Sequence, residues 1–384
     1  MPRNVWILGL AAMLTDTSSE MIHSVLPMFL VSVLGASVMT VGLIEGVAES
    51  VASIMKVFSG ALSDYLGRRK SLAVAGYGLS TLSKPLFAIA GNPFWVFTAR
   101  TMDRIGKGIR GAPRDALVAD SVAPEIRGAA FGLRQSLDTA GAFLGPFIAF
   151  VLMFLLHSSF RLIFWCAVIP AVIAVLILVI GVTERKNSSK ISTSNPLEWH
   201  ALKKLGKEYW ILVAAALVFS LGNSSDTFLL LRTKQLGVAT AFIPLVMVVM
   251  NVAYALSAYP LGALSDRIGR RGLLVGGFAI YAFVYAGFAL INAQWQVWGL
   301  FLIYGLYLGM SQGVLSAMVA DKVPADQRGT AFGFVNLATG ITLLPASLLA
   351  GILWDKVSPA APFIAGSIFA LVATVLLLIG VKSK

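Results

Sequence analysis

One ten-residue block occurs twice in this chain of 384 residues. The first copy reads Gly60-Ala-Leu-Ser-Asp64-Tyr-Leu-Gly67-Arg68-Arg69, and the second reads Gly262-Ala-Leu-Ser-Asp266-Arg-Ile-Gly269-Arg270-Arg271, 202 positions later. Another block, Val118-Ala-Asp120 through Arg127-Gly128 to Phe131-Gly132, returns 201 positions later as Val319-Ala-Asp321 through Arg328-Gly329 to Phe332-Gly333. Two independent matches at nearly the same offset indicate that the chain is a duplicated unit.

The composition places both copies in a membrane. Hydrophobic residues make up 58% of the chain and charged residues only 12%, whereas soluble domains carry about 25% charged residues. A soluble globular protein is therefore excluded. One span per ~30 residues leaves room for roughly a dozen spans, which also excludes a single-pass receptor. Hydropathy and turn signals predict spans at 5–34, 38–62, 70–90, 94–119, 129–156, 161–182, 209–233, 240–264, 272–292, 296–320, 330–354 and 360–381.

The basic residues predict the orientation of these spans. With both termini in the cytoplasm, the cytoplasmic connections and tails hold 18 of the 30 Lys and Arg residues, and the opposite side holds 4. Because cytoplasmic loops collect Lys and Arg, we expect a multi-pass protein of the inner (cytoplasmic) membrane. Topology then accounts for the net charge of +12 without a nucleic-acid partner. We also expect the protein to be a monomer.

A single long polar stretch separates the two copies. It predicts an N-terminal six-helix bundle at 1–182, a cytoplasmic linker with an amphipathic helix at 183–208, and a C-terminal six-helix bundle at 209–384. Because the chain has one cysteine and three scattered histidines, we expect neither a metal site nor a cofactor. Neither a nucleophile paired with a base nor a nucleotide-binding loop is found, so an enzyme or a sensor is disfavoured.

The repeated blocks resemble the signature of the major facilitator superfamily, Gly-x-x-x-Asp-Arg-x-Gly-Arg-Arg, in the loop between helices two and three. The resemblance covers nearly the whole chain and implies an all-α polytopic fold with twelve transmembrane helices in two pseudo-symmetric halves. One position departs from the signature, since Tyr65 stands where a basic residue is usual, although Arg267 restores it in the second copy.

The resemblance also implies a conformational latch. Its glycines would let helix ends approach closely, its aspartates would face helix N-termini, and Arg68 and Arg270 would pair with Asp120 and Asp321. The latch residues are Gly60, Asp64, Gly67, Arg68, Asp120, Gly262, Asp266, Gly269, Arg270 and Asp321. The alternative is that the basic residues only enforce the topology.

Helix five carries a second resemblance. Gly132, Gly141, Gly145 and Pro146 have a spacing that looks like the signature of proton-coupled exporters in this superfamily, although Ala149 replaces the last expected glycine. We expect a smooth, bent face for close helix packing that seals the closed cavity. Ordinary packing by Gly and Pro is the alternative.

Six charged residues share one face of predicted helix four: Arg100, Asp103, Arg104, Lys107, Arg110 and Arg114. At about 100° per residue they fall within an arc of roughly 120°. Five bases facing lipid would cost on the order of 12 to 17 kcal/mol, so this face must contact water, substrate or acids. Arg104 through Gly108 also resembles the superfamily's Arg-x-x-x-Gly motif in helix four, which is associated with proton movement or substrate contact.

Acids on the neighbouring spans are the candidate proton sites: Asp16, Glu20, Glu45, Glu49 and Asp138, the last following Arg134 by one turn. We predict that one acid, chiefly Glu20, is protonated from one side and releases a helix-four base to bind an anionic group. Competition between proton and substrate would then give antiport. The alternative is an ion-pair network that only holds the helices together. The second half contributes further candidate residues of the substrate cavity: Asn223, Asp226, Asn251, Tyr304 and Gln312.

The sequence therefore predicts a secondary active transporter that works by alternating access, with the proton gradient as its energy source. It would export a small organic anion or amphiphile, such as a drug, a metabolite or a siderophore, in exchange for protons. The alternative is an importer or facilitator of a small metabolite or metal chelate with the same fold.

Overall fold

A computed structural model describes residues 1–66, 68–123, 126–184, 205–323 and 328–380, and the regular structure in these ranges is helical throughout. The long helices of these ranges are α1 (Arg3–His23), α2 (Val38–Leu66), α3 (Arg69–Ile89), α4 (Pro93–Asp120), α5 (Arg127–Leu155), α6 (Phe160–Gly181), α7 (Lys207–Gly222), α8 (Ile243–Ile268), α9 (Arg270–Leu290), α10 (Gln294–Lys322), α11 (Arg328–Lys356) and α12 (Ala361–Gly380). The predicted all-α fold with twelve spans is confirmed, and most bounds agree with the predicted ones to within about one turn of helix.

Two spans that the sequence predicts as continuous are interrupted. After α1, the chain resumes as a short helix, Leu26–Met28, and then a π-helical turn, Phe29–Val33. After α7, it resumes as Thr227–Gln235. Pro27 lacks the N–H group that a continuous helix needs, and the Asn and Ser side chains after Gly222 compete for backbone hydrogen bonds. The spans predicted at 5–34 and 209–233 are therefore not single unbroken helices, because hydropathy averages over such breaks.

The chain divides into two compact units. Unit 1 comprises residues 1–36, 47–195 and 240–245, and unit 2 comprises residues 37–46, 196–239 and 246–384. The first turns of α2 therefore belong to unit 2, although they lie within the predicted N-terminal bundle. The reason is close packing, since a Cβ added to Gly46 would lie 3.0 Å from Leu344 Cα of α11. Most of the predicted linker, including its amphipathic helix, lies outside the described residues.

The same helix pairings occur inside each unit. In unit 1, α1 packs against α5 and α6, and α3 packs against α4 and α6. In unit 2, α7 packs against α11 and α12, and α9 packs against α10 and α12. The repeat in the sequence is therefore also a repeat in packing.

Ten helical segments within the described ranges are long and apolar enough to cross a membrane. Neither α1 nor α4 is among them, whereas the matching segments of unit 2, Lys207–Gln235 and Gln294–Val319, are. The cause is polarity, because α1 and α4 carry the charged residues predicted above. Such helices are stable in a bilayer only where other helices or water surround their charged faces.

Candidate functional site

The charged face of α4 in unit 1 meets acids from α1 and α2. Arg104 Nε lies 3.0 Å from Glu49 Oε1, and Arg100 Nη2 lies 3.8 Å from the same oxygen. Arg110 Nη2 lies 3.5 Å from Asp16 Oδ1. The Arg104 side chain is 4% exposed, whereas that of Glu49 is 33% exposed. Water and protons can therefore reach the acid more readily than the bases behind it.

A buried ion pair lies beside this face. Lys84 Nζ of α3 is 2.8 Å from Asp103 Oδ1 of α4 and also donates to Ser19 Oγ of α1 at 2.8 Å. Ser80 donates a hydrogen bond to the same Asp103 oxygen, so one carboxylate ties α3 to α4 while Lys84 reaches α1. The sequence prediction included Asp103 but not Lys84. The available signal was a lysine in an apolar span directly before Pro85.

A second group of ion pairs joins α4 to α5. Arg134 Nη1 lies 2.8 Å from Asp138 Oδ2 and 3.5 Å from Asp115 Oδ1. Arg114 contacts the same two acids at 3.8 Å and 3.1 Å respectively. The predicted pair of Arg134 and Asp138 is therefore part of a four-residue cluster, because Arg114 and Asp115 of α4 complete it.

Lys107 differs from the other bases of this face. It is exposed, and among the residues that the structure describes no carboxylate oxygen lies within the 4.0 Å that defines an ion pair. Its position on α4 is fixed by Gly108, since a Cβ added there would lie 2.5 Å from Met55 Cβ of α2. Lys107 is therefore an exposed cation that interacts with Glu49, Asp16 and Glu20 only beyond ion-pair distance.

Glu20 contacts a different partner from the one predicted. His23 Nδ1 lies 3.4 Å from Glu20 Oε2, and in the described part of the chain no base of α4 comes within the 4.0 Å of an ion pair. Glu49 is the acid that contacts two bases of α4 directly, whereas Glu20 interacts with Arg104 and Lys107 only at longer range. The proton-coupling role of Glu20 stays a prediction. Glu45 is buried, in the part of α2 that belongs to unit 2.

Two glycines of the predicted helix-five motif pack closely against α1. A Cβ added to Gly141 would lie 2.5 Å from Met13 O, and one added to Gly145 would lie 2.5 Å from Glu20 Cβ. Pro146 is buried beside them. Among the residues that the structure describes, no atom lies within 4 Å of a Cβ added at Gly132, so no close packing is seen at that position.

Close packing also occurs between α3 and α4, where the sequence analysis missed it. A Cβ added to Gly76 would lie 2.7 Å from Gly106 O, and one added to Gly106 would lie 2.6 Å from Gly76 O. The signal was the spacing of glycines on both helices. This contact brings the two backbones close together and places the Arg110 guanidinium 4.9 Å from the centre of the Tyr77 ring.

The predicted latch differs between its two copies. Asp120 forms an ion pair with Arg69, so the expected pairing with Arg68 is displaced by one residue. In the second copy, Arg270 Nη1 lies 2.6 Å from Asp321 Oδ2, the expected partner. The side chains of Asp64, Asp266 and Gln312, and all of Gly67, lie outside the described residues.

Two glycines of the latch show no close packing in the part of the chain that the structure describes. There an added Cβ would meet only an ordinary contact of 3.5 Å at Gly60 and nothing within 4 Å at Gly262. Gly269 has φ +91°, a conformation that residues with a side chain rarely adopt. There the glycine permits the turn that starts α9.

The matching region of unit 2 is aromatic. Tyr304 donates a hydrogen bond to Asp226 Oδ1 at 2.7 Å, and Tyr281 stacks on Tyr285 with ring centres 4.0 Å apart. Asn223 directly follows α7, and Asn251 lies half-buried on α8. The predicted pair Asp226 and Tyr304 is thus in contact, whereas Tyr281 and Tyr285 were missed because aromatic residues are also ordinary core residues.

Comparisons with known proteins agree with this architecture. The family model "Major Facilitator Superfamily" matches residues 8–238 and 227–384. An uncharacterized MFS-type transporter of Methanocaldococcus jannaschii, MJ1317, is 36% identical over 98% of this chain and 94% of its own length. The multidrug resistance protein MdtH of Cronobacter sakazakii is 32% identical over 34% of this chain and 31% of its own length.

Solved structures share the fold. A single-residue mutant of the nucleoside transporter NupG superimposes with a TM-score of 0.82 over 99% of this chain and 100% of that chain, at 12% sequence identity. The fold and the charged site thus define a multi-pass membrane transporter. The chain belongs to the major facilitator superfamily, a family of transporters of small molecules rather than a class of enzymes.

Proposed function

We propose that this protein is a secondary active transporter that moves a small organic anion coupled to protons. The observation that carries the proposal is Lys107, an exposed base on a face whose other four bases each lie within 4.0 Å of an acid in the described ranges. A cation in a membrane protein that has no carboxylate of the described residues within ion-pair distance is suited to bind a carboxylate or phosphate group.

Glu49 is the proposed proton site. It is the acid that two α4 arginines share, and its side chain is partly exposed. When Glu49 is ionised, its negative charge offsets Arg104 and repels an anion near Lys107. When Glu49 is protonated, that charge is removed and Arg104 can assist Lys107 in anion binding.

Whether protonation of Glu49 strengthens or weakens anion binding decides between symport and antiport. Because protonation of Glu49 strengthens anion binding, anion binding must by reciprocity strengthen proton binding. The two then move in the same direction, which is symport. The antiport predicted from the sequence requires competition instead, so the pairing of Glu49 with bases favours the alternative, an importer. The helix-five glycines remain the argument for export.

Binding measurements at two pH values test the sign. We expect para-aminohippurate or citrate to raise the free energy of unfolding of the purified protein by about 2.7 kcal/mol at a hundredfold excess over Kd, and to bind more tightly at pH 5.5 than at pH 8. Glu49→Gln should bind with equal affinity at both pH values. Lys107→Gln should lose the effect, whereas Lys356→Gln, a matched change of an exposed lysine on α11, should retain it.

Transport measurements test the direction. In proteoliposomes that contain the pH dye pyranine, external anion should acidify the lumen if the coupling is symport. Alkalinisation of the lumen, or tighter binding at pH 8, would instead establish the exporter with proton antiport. If a panel of mono-, di- and tricarboxylates neither stabilises the protein nor changes the lumenal pH, the assignment to organic anions is wrong.

A further inference from the structure

A series of acid–base pairs extends along α4 in unit 1. Glu49 pairs with Arg104, Asp16 pairs with Arg110, and the cluster of Asp138 and Asp115 pairs with Arg114. The three arginines are separated by about 9 Å and about 6 Å along the helix, at 1.5 Å per residue. We call Glu49, Asp16, Asp138 and Asp115 the acid ladder. It runs from the proposed proton site towards the end of α4 that carries Asp120.

Around Asp16, Asp138 and Asp115 of the acid ladder, several buried polar atoms have no hydrogen-bond partner among the described residues. Beside Asp16 these are Arg110 Nη1 and Tyr77 Oη, and beside Asp115 they are Arg134 Nε and Asp138 Oδ1. Arg110 and Tyr77 are both more than nine-tenths buried. Buried polar groups in proteins are nearly always satisfied by protein or by ordered water. Ordered water would satisfy these atoms, and water beside the carboxylates is what proton transfer along the ladder needs.

We infer that the acid ladder is the path by which protons pass between Glu49 and the Asp120 end of α4. This inference rests on the proposed function, in which Glu49 binds the transported proton. A proton from water binds Asp115 and passes through water to Asp138, Asp16 and finally Glu49. At each step one O–H bond breaks at the donor carboxyl group as another forms at the accepting carboxylate, and no other covalent bond changes.

The surroundings of Asp138 allow it to accept a proton without leaving a base unpaired. It is faced by Arg134 from its own helix, by Arg114 and Asp115 from α4, and electrostatically by Asp16 from α1. When Asp138 is protonated, both arginines keep Asp115 as a partner. Protonation of Asp138 therefore removes its own ion pairs with Arg134 and Arg114, but each arginine keeps an ion pair with Asp115. No base is left without a partner, which keeps the cost of the transfer low.

Two transport assays on Asp138→Asn distinguish a proton path from a structural role. In net transport driven by a pH gradient, the proton must be bound on one side and released on the other. In equilibrium exchange of labelled para-aminohippurate at equal pH, the proton can stay bound throughout. We therefore expect Asp138→Asn to slow the pyranine signal of net transport at least tenfold and to change equilibrium exchange by less than twofold.

Matched variants complete the test. Asp138→Glu should restore net transport, because it restores a carboxyl group. Asp355→Asn, at an exposed acid of unit 2 outside both the ladder and the predicted cavity, should leave the ratio of net transport to exchange unchanged. The proposed proton path would be contradicted if Asp138→Asn showed normal net transport, or if it lost net transport and equilibrium exchange equally. A wild-type protein that exchanges the anion without any pH response would overturn the proposed function instead.

Discussion

The two units have the same helix pairings, yet α4 of unit 1 and α10 of unit 2 carry opposite chemistry. With the offset of 201, the positions of Asp103, Arg104 and Lys107 are occupied in α10 by Tyr304, Gly305 and Leu308. At these positions α4 makes ion pairs with acids and a lysine of its neighbours, whereas in α10 Tyr304 packs among tyrosine rings and donates a hydrogen bond to Asp226. We infer that the fold depends on the backbone contacts, while the side chains of one unit are available for chemistry.

The shared contacts are at glycines. A Cβ added to Gly108 of α4 would lie 2.8 Å from Ala52 O of α2. The equivalent Gly309 of α10 would place its Cβ 3.2 Å from Ala258 N of α8. Both units therefore need a glycine where these helices meet, whatever charges surround it.

The largest expected effect is at the buried pair of unit 1. Asp103→Asn removes the charge that compensates Lys84, which is 1% exposed, and should lower the free energy of unfolding by ~3–5 kcal/mol. Tyr304→Phe, at the matching position of unit 2, removes one hydrogen bond to Asp226 and should cost only ~1.5–3 kcal/mol. Unfolding by SDS in mixed micelles, followed by circular dichroism, measures both.

The double variant Lys84→Met, Asp103→Leu checks the cause of that loss. If an uncompensated buried charge is responsible, removing both charges should recover most of the stability. A double variant as unstable as Asp103→Asn would instead assign the loss to packing. Equal losses in Asp103→Asn and Tyr304→Phe would mean that the two units do not differ in the way described.

A smaller effect is expected from Gly145→Ala in α5. The added Cβ would lie 2.5 Å from Glu20 Cβ and 2.7 Å from Thr17 O of α1, and such overpacking costs ~1–3 kcal/mol. Gly132→Ala is the matched control in the same helix, because no atom of the described residues lies within 4 Å of its added Cβ. The same unfolding assay should show a loss for the first variant only, and an unstable Gly132→Ala would contradict the packing described for α5.

The smallest effect on stability is expected at the two latch pairs. Asp120→Asn and Asp321→Asn each remove an exposed ion pair and should cost less than about 1 kcal/mol. Both should nevertheless change which membrane face is accessible, measured by maleimide labelling of cysteines introduced at each end of the spans. Unchanged labelling in both variants would show that these ion pairs do not act as a latch. A change in only one variant would show that the two copies are not equivalent.

Much of the fold could be predicted, because long apolar segments and a repeat with one offset are strong signals. The breaks after His23 and Gly222 could not, since a window of hydropathy extends across a few residues without helical bonds. At the site, the helical spacing of charges predicted the face of α4 correctly. It could not determine partners on other helices, so Glu49 rather than Glu20 contacts Arg104, and Arg69 rather than Arg68 contacts Asp120.

The two helix breaks have a mechanical consequence. An intact helix can change direction only by giving up backbone hydrogen bonds, each of which is costly to lose in lipid. Near the break after α7, hydroxyl groups already accept from backbone N–H groups, with Ser347 Oγ accepting from Ser225 N and Ser225 Oγ accepting from Thr227 N, each at 3.4 Å. The segment Thr227–Gln235 can therefore tilt against Lys207–Gly222 without unwinding either helix. In unit 1 the corresponding span has a helix break between α1 and Leu26–Met28.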